Sequence, residues 1–197
     1  LVPWGSNDPG GARRAAGLFD AGGGYLTAGE CHRYDGDPIT VQPEHDPAAP
    51  VQDLPGRYLF GGLLYGHFGH FLCESTGRLW ALEQGGFDGV IWYPKLQLGH
   101  PAKLTKPYVP FFAALGHGGL KLIAPQTPVR IGELVIAAQG FGIGTLSAGT
   151  PEYRRFMRGH LGRAIAPAGS ARLYISRAGL PVKRGSMLLE SRIETLL

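Results

Sequence analysis

An uninterrupted apolar run near the middle of the chain most constrains what this sequence can fold into. The run reads Val-Ile-Trp-Tyr over residues 90–93 and ends at Pro94. A strand that is apolar at consecutive positions is buried on both faces, which is typical of parallel sheets covered by helices. The run therefore predicts a buried parallel strand in a layered fold.

Strand-like and helix-like segments alternate along the chain around this run. The expected strands cover residues 57–64, 90–93, 120–124, 172–177 and a pair around Gly132 over residues 129–138. The expected helices cover residues 65–84, 108–115, 151–165 and 185–197. Thr150 and Pro151 are a typical N-cap and first helical residue. This order predicts an α/β, Rossmann-like layered domain with a mostly parallel sheet.

The composition divides the chain into three parts. Residues 1–56 are rich in Gly, Pro, Ala and Asp, which predicts an irregular N-terminal segment. Residues 57–165 would form the layered domain. A linker of small residues, 166–171, comes before a strand–loop–helix unit that cannot bury both of its faces alone. That unit either completes the first sheet or begins a second domain.

The charge is uneven along the chain. Residues 1–150 carry 10 Lys or Arg against 12 Asp or Glu, whereas residues 151–197 carry 9 against 3. A basic surface is therefore expected in the last quarter. The two cysteines are too few for a framework of disulfides and lack the close spacing of a cysteine-based metal site. With no signal peptide and no run long enough to span a bilayer, we expect a cytoplasmic protein, with contact to a membrane surface left open.

The segment 65–84 carries the candidate catalytic residues. Read as a helix, it places His67, His70, Glu74 and Arg78 within an arc of about 80°. The neighbouring arc is apolar and would face the core. A helix that packs along one side and aligns ionisable groups beside that side predicts the wall of a cleft.

Several roles for these residues are open. A neutral His70 can accept a proton, and Glu74 one turn away can orient it. Equally, His67 or His70 can be a hydrogen-bonded structural residue. Glu74 and Arg78 can form an ordinary ion pair one helical turn apart.

Two blocks of the chain carry a recognisable pattern. The first begins at residue 65 and reads Tyr-Gly-His-Phe-Gly-His-Phe-Leu-x-Glu-x-x-x-Arg-Leu. The second reads Leu-Tyr-Ile-Ser-Arg from residue 173, followed by Arg184 and by Leu189-Glu190. Together they resemble the family 61 glycosyltransferases, which include bacterial capsular-polysaccharide enzymes and eukaryotic xylosyl- and N-acetylglucosaminyl-transferases. The resemblance covers about residues 57–197.

The resemblance implies a GT-B-like enzyme with two Rossmann domains that moves a sugar from a nucleotide-sugar donor to a glycan or polysaccharide acceptor. The chain would hold the acceptor-side domain and, in residues 166–197, the first strand and helix of the nucleotide-sugar-binding domain; such a part is expected to be inactive alone. The catalytic residues implied are His70, Glu74 and His67. The substrate-binding residues implied are Arg78, Ser176, Arg177, Arg184 and Glu190. We expect no metal and no other cofactor, because no metal-binding aspartate motif stands out.

Two other classes of function remain open. A metal-dependent hydrolase would use His67, His70 and Glu74 as ligands, with a further nitrogen from a distant histidine such as His100, His117 or His160. A non-catalytic module would bind an anionic polymer through the basic last quarter. No nucleic-acid-binding motif is present, so a nucleic-acid partner is not expected.

Overall fold

The computed structural model describes residues 1–3, 14–32, 38–46, 49–95, 101–165, 168–169, 174–176, 178 and 189–196. The chain divides into two compact units, residues 1–165 and residues 166–197. The first unit contains a parallel four-stranded sheet and four of the α-helices described below. The expected α/β fold is therefore confirmed.

The strands of the first unit are β1 (Arg14–Ala15), β2 (Thr40–Val41), β3 (Gln52–Leu64), β4 (Gly89–Pro94), β5 (Lys121–Ile123) and β6 (Val129–Val135). Its α-helices are α1 (Phe68–His70), α2 (Pro101–Thr105), α3 (Val109–Ala114) and α4 (Pro151–Ala164). Turns of 3₁₀ helix cover Thr27–Gly29, Leu79–Gln84, Lys106–Tyr108 and Gly144–Ala148, and a π-helical turn covers Phe71–Ser75. The second unit contains α5 (Glu190–Leu196).

The four-stranded sheet has the order β5-β4-β3-β6, and every neighbouring pair is parallel. As the apolar run predicted, β4 is buried along its whole length. The expected strand pair around Gly132 is wrong, because β6 is one continuous strand. Gly132 lies against the backbone of Gly56, where β3 is bulged, so the glycine allows close approach of two strands rather than a turn.

Successive residues of the central strands point to opposite faces of the sheet, as expected for extended chains. On one face, Leu59 and Trp92 pack with Phe112 and Phe156 of the helices. On the other face, Phe60 packs with residues of the N-terminal segment. The described parts of that segment therefore form a covering layer. β3 also begins at Gln52, inside the segment expected to be irregular.

The expected continuous helix over residues 65–84 is wrong. After α1 and the π-helical turn, the chain turns at Thr76 and resumes only as a 3₁₀ helix. The hydroxyl of Ser75 accepts a hydrogen bond from the backbone N–H of Tyr65 at 3.0 Å, and the hydroxyl of Thr76 donates to the carbonyl of Leu72 at 2.8 Å. Such side-chain bonds compete with the helical backbone. Gly77 then packs directly against the Phe141 carbonyl, where a side chain would not fit.

The second half of the chain agrees with several expectations. Helix α4 begins as predicted, with the Thr150 hydroxyl accepting a hydrogen bond from the Tyr153 N–H at 3.3 Å. Strand β5 and helix α3 also lie where they were expected. The strand expected over residues 172–177 is not found at residues 174–176, and its other positions lie outside the described residues. Among the described residues, no helix has both the length and the apolar character needed to cross a membrane.

Candidate functional site

The order of the strands creates a switch point between β3 and β6. From β3 the sheet extends through β4 to β5 on one side, and β6 then lies on the other side of β3. In open parallel sheets, ligands bind outside the carboxyl ends of the strands at such a point. Residues 65–78, which follow β3, and residues 136–139, which follow β6, lie at this edge.

His70 and Glu74 form a close pair at this edge. The Nδ1 atom of His70 lies 2.6 Å from Oε1 of Glu74, and the side chains are 42% and 6% exposed, respectively. A buried carboxylate that accepts the Nδ1 hydrogen holds the imidazole in one orientation and leaves Nε2 as its basic nitrogen. The pair therefore has the arrangement of a general base and its orienting group.

Two aromatic side chains hold the imidazole of His70 in place. The buried ring of Tyr65 stacks on it, with 5.1 Å between the ring centroids and 22° between the planes. The edge of His67 contacts it at 5.5 Å. The backbone carbonyl of Tyr65 accepts a hydrogen bond from the hydroxyl of Tyr108 at 2.8 Å. His67 itself is exposed and precedes α1 in extended backbone, so it reaches His70 without lying on the same helical face.

Arg78 is buried and interacts with distant backbone groups. Its guanidinium donates hydrogen bonds to the carbonyls of Ala137 and, at 3.0 Å, of Glu30. It also lies over the Phe60 ring, 5.4 Å from the centroid. Burial lowers the pKa of this guanidinium. The ion pair with Glu74 that the sequence left open as one alternative is not formed, because the helix that would have aligned the two residues ends before Arg78.

A very small cavity lies behind the His70–Glu74 pair. It measures about 10 Å³, and its lining includes Cys31, Gly62, Glu74, Arg78 and Gln139. That volume suits about one water molecule. Gly62 adopts a positive φ of 87°, which a glycine accommodates without strain. On the chain just before His70, residues 66–69 are exposed.

Cys31 and Gln139 belong to this cavity but were not singled out in the sequence. Cys31 lies in the N-terminal layer, and burial raises the pKa of its thiol to about 12. Gln139 lies past the carboxyl end of β6 and donates a hydrogen bond to the Phe141 carbonyl at 3.2 Å. No local pattern marks either residue, since each reaches the cavity only through the pairing of distant segments.

The histidines proposed as additional metal ligands lie elsewhere. His117 and His160 contact one another, with 5.2 Å between ring centroids, and both pack on Phe156. His100 lies outside the described residues. In the part of the chain that the structure describes, no group of three or more His, Cys, Asp or Glu side chains is placed to hold a metal ion.

The predicted donor-side residues belong to the second unit. Glu190 begins α5, is buried, and accepts a hydrogen bond from the Tyr174 hydroxyl at 3.2 Å. The Ser176 hydroxyl donates to Glu194. Arg177 and Arg184 lie outside the described residues. Substrate binding by these residues stays a prediction.

A larger cleft lies away from the His70–Glu74 pair. It has a volume of about 540 Å³ and runs between the N-terminal layer and β6. Its walls are mainly aliphatic and include Leu18, Leu26, Ile131 and Leu134. None of the candidate catalytic residues His67, His70 and Glu74 lines this cleft. The candidate catalytic site is therefore the one at the carboxyl ends of the strands.

Comparisons of the chain with models of protein families, with curated proteins and with solved structures found no match. The resemblance of the two sequence blocks to family 61 glycosyltransferases therefore remains a hypothesis. The site geometry provides the independent argument for function.

Proposed function

We propose that this chain provides the acceptor side of a glycosyltransferase, which moves a sugar from a nucleotide-sugar donor to a glycan or polysaccharide acceptor. The observation that carries the proposal is the 2.6 Å contact between His70 and Glu74 at the switch point of a parallel sheet. A half-exposed imidazole on a buried carboxylate suits proton abstraction from a hydroxyl group. The resemblance of residues 57–197 to family 61 enzymes supports the same conclusion.

The proposed reaction uses His70 as the base. As the acceptor oxygen forms its bond to the anomeric carbon of the donor, Nε2 of His70 takes the hydroxyl proton. The bond from the anomeric carbon to the diphosphate breaks, and its electron pair leaves with the nucleoside diphosphate. Glu74 stabilises the imidazolium that forms. His67 lies against the His70 ring, and we assign it a supporting role at the same edge.

The departing diphosphate carries negative charge and requires donors that stabilise it. On the basis of the family resemblance, we assign this role to Arg177 and Arg184, assisted by the hydroxyl of Ser176. Glu190 of the same unit is assigned to substrate binding away from the diphosphate, because its carboxylate would repel that group. Guanidinium groups match phosphate oxygens in a bidentate manner, which makes arginine well suited to this task. The proposal requires no metal ion and places the donor against a second Rossmann domain.

A binding and transfer experiment tests this proposal. Calorimetry would measure the binding of nucleoside diphosphates and nucleotide sugars to this chain and to a longer form that carries a complete second domain. We expect binding by the longer form, its loss in Arg177→Ala, and release of nucleoside diphosphate when glycan acceptors are added. His70→Gln should slow this release strongly without abolishing nucleotide binding.

Two results would contradict the proposal. The first is the absence of nucleotide binding in every form. The second is stoichiometric zinc that is retained by the chain and lost in His70→Gln, which would favour the metal-dependent hydrolase instead.

A further inference from the structure

The chain from β4 into β6 carries basic residues and no acidic ones. Between Asp88 and Glu133 the sequence contains no acidic residue. The basic residues in this interval are Lys95, Lys103, Lys106, Lys121 and Arg130. Three of these lysines follow the carboxyl end of β4, on the same edge of the sheet as the His70–Glu74 pair.

Lys95 is fixed close to His70. It follows β4 directly, and its backbone N–H donates a hydrogen bond to the Leu64 carbonyl at the end of β3 at 2.9 Å. Its ammonium lies over the Tyr65 ring, 4.6 Å from the centroid. Because the same Tyr65 ring stacks on His70, the lysine ammonium and the candidate base both contact one aromatic side chain.

The surroundings increase the positive potential at this position. Helix α2 lies near the turn after β3, where a Cβ atom added at Gly66 would meet the Leu104 side chain at 3.6 Å, and it carries the exposed Lys103. Lys106 is exposed on the 3₁₀ turn that follows. The carboxylate of Glu74 lies beneath His70 with only 6% of its side chain exposed. Among the described residues that follow β4 up to α3, the charged side chains Lys95, Lys103 and Lys106 are all cationic. A half-buried ammonium interacts with an anion more strongly than a fully solvated one does.

We propose that Lys95 binds an anionic group, a carboxylate or a phosphate, of the substrate that reacts at His70. The reaction assigned to that substrate rests on the proposed function, whereas the binding of the anion does not. The substrate class is then an acidic rather than a neutral glycan. Its negative group lies beside Tyr65 while its hydroxyl reaches His70.

A titration followed by NMR tests this subsite. The probes are an oligomer of galacturonic acid, the same oligomer as its neutral methyl ester, and inorganic phosphate, each added to the labelled chain. We expect the ring signals of His70 and Tyr65 to move saturably with an anionic probe and not with the ester. A response to the uronate assigns the subsite to a carboxylate, and a response to phosphate alone assigns it to a phosphate.

Two variants of equal charge give the matched comparison. Lys95→Gln should weaken binding of the anionic probe by about tenfold or more, which corresponds to about 1.4 kcal/mol. Lys121→Gln removes the same charge at an exposed position that begins β5, at the opposite edge of the sheet, and should change binding less than about twofold. Lys95→Arg should retain most of the affinity and shows that the site is intact.

The proposal is overturned if neither anion moves the His70 and Tyr65 signals, or if the two glutamine variants lose affinity equally. It is also overturned if the complete enzyme transfers sugar to a neutral acceptor and Lys95→Gln leaves that transfer unchanged, a result that keeps the glycosyltransferase proposal. Anion binding that depends on Lys95, found in a protein with no sugar transfer, would instead reject the glycosyltransferase and keep the subsite.

Discussion

The guanidinium of Arg78 donates a hydrogen bond to the backbone carbonyl of Ala137, 59 residues further along the chain. A second bond from the same group reaches the Glu30 carbonyl in the N-terminal layer. One side chain thus ties together the turn after β3, the segment after β6 and the layer that covers the sheet. The His70–Glu74 pair lies directly beside this junction, so the position of the base depends on it.

Replacement of this arginine should destabilise the fold. Arg78→Met leaves two carbonyls without their charged donor, and bonds of this kind contribute roughly 1.5–3 kcal/mol each. We expect the free energy of unfolding to fall by about 2–4 kcal/mol in urea titrations. Arg130→Met is the control, because its side chain is 70% exposed and a change within about 0.5 kcal/mol is expected. If both variants lost the same free energy of unfolding, the stabilising role assigned to Arg78 would be wrong.

Replacing the proposed base and replacing its orienting carboxylate should lower kcat by different amounts. In the longer form that carries a complete second domain, His70→Gln is expected to reduce kcat by about 10²- to 10⁴-fold, the usual contribution of a general base. Glu74→Gln keeps a hydrogen-bonding group but loses the charge that supports the imidazolium, so its loss should be smaller. His45→Gln, at a histidine whose ring contacts Phe19 in the N-terminal layer, is the control and should retain activity. Full activity in His70→Gln would exclude the assigned role.

Gly61 provides a packing test within β3. A Cβ atom at this position would overlap the indole of Trp92, which is buried and donates a hydrogen bond to the Ser75 carbonyl at 3.0 Å. Because neither ring nor strand can move freely, Gly61→Ala should cost about 1–3 kcal/mol of stability and alter the tryptophan fluorescence. Gly119→Ala adds a methyl group with no atom within 4 Å and should have little effect.

His117 should make stability depend on pH in a defined direction. Burial, followed by the proximity of His160, lowers the pKa of this imidazole below its ordinary value of 6.5. In the window just below pH 6.5 the unfolded chain therefore binds a proton that the folded chain does not, and stability falls as the pH falls. Denaturation midpoints of wild type and His117→Phe, measured from pH 7 to pH 5, should diverge, with the variant losing less. Parallel curves would contradict this assignment.

The two cysteines should differ in reactivity. Burial raises the pKa of Cys31 to about 12, so at neutral pH it is a thiol enclosed in the core, and the thiolate is the reactive form. Cys73 is partly exposed. A maleimide reagent should label the native chain at Cys73 and both residues in urea, as read by peptide mass spectrometry. Rapid native labelling of Cys31 would show that the N-terminal layer opens.

The parts of the fold that were predictable from the sequence depend on local physics. The apolar run at residues 90–93 specifies a strand buried on both faces, and Thr150 with Pro151 specifies the start of α4. The prediction failed for the helix over residues 65–84. There, the hydroxyls of Ser75 and Thr76 form hydrogen bonds with backbone groups and interrupt the helix. The partner of Ser75 is the backbone N–H of Tyr65, directly after β3, so the interruption depends on where the sheet places that residue.

For the candidate site, the sequence by itself determined that His70 and Glu74 would be neighbours, because they are four positions apart and one helical turn brings such residues together. Only the tertiary structure decided that Arg78 leaves this group for Ala137 and Glu30, and that Lys95 lies over the ring of Tyr65. Those contacts follow from the order of strands in the sheet. Local patterns act over a few residues and do not encode that order, whereas the packed fold specifies it through burial of both sheet faces.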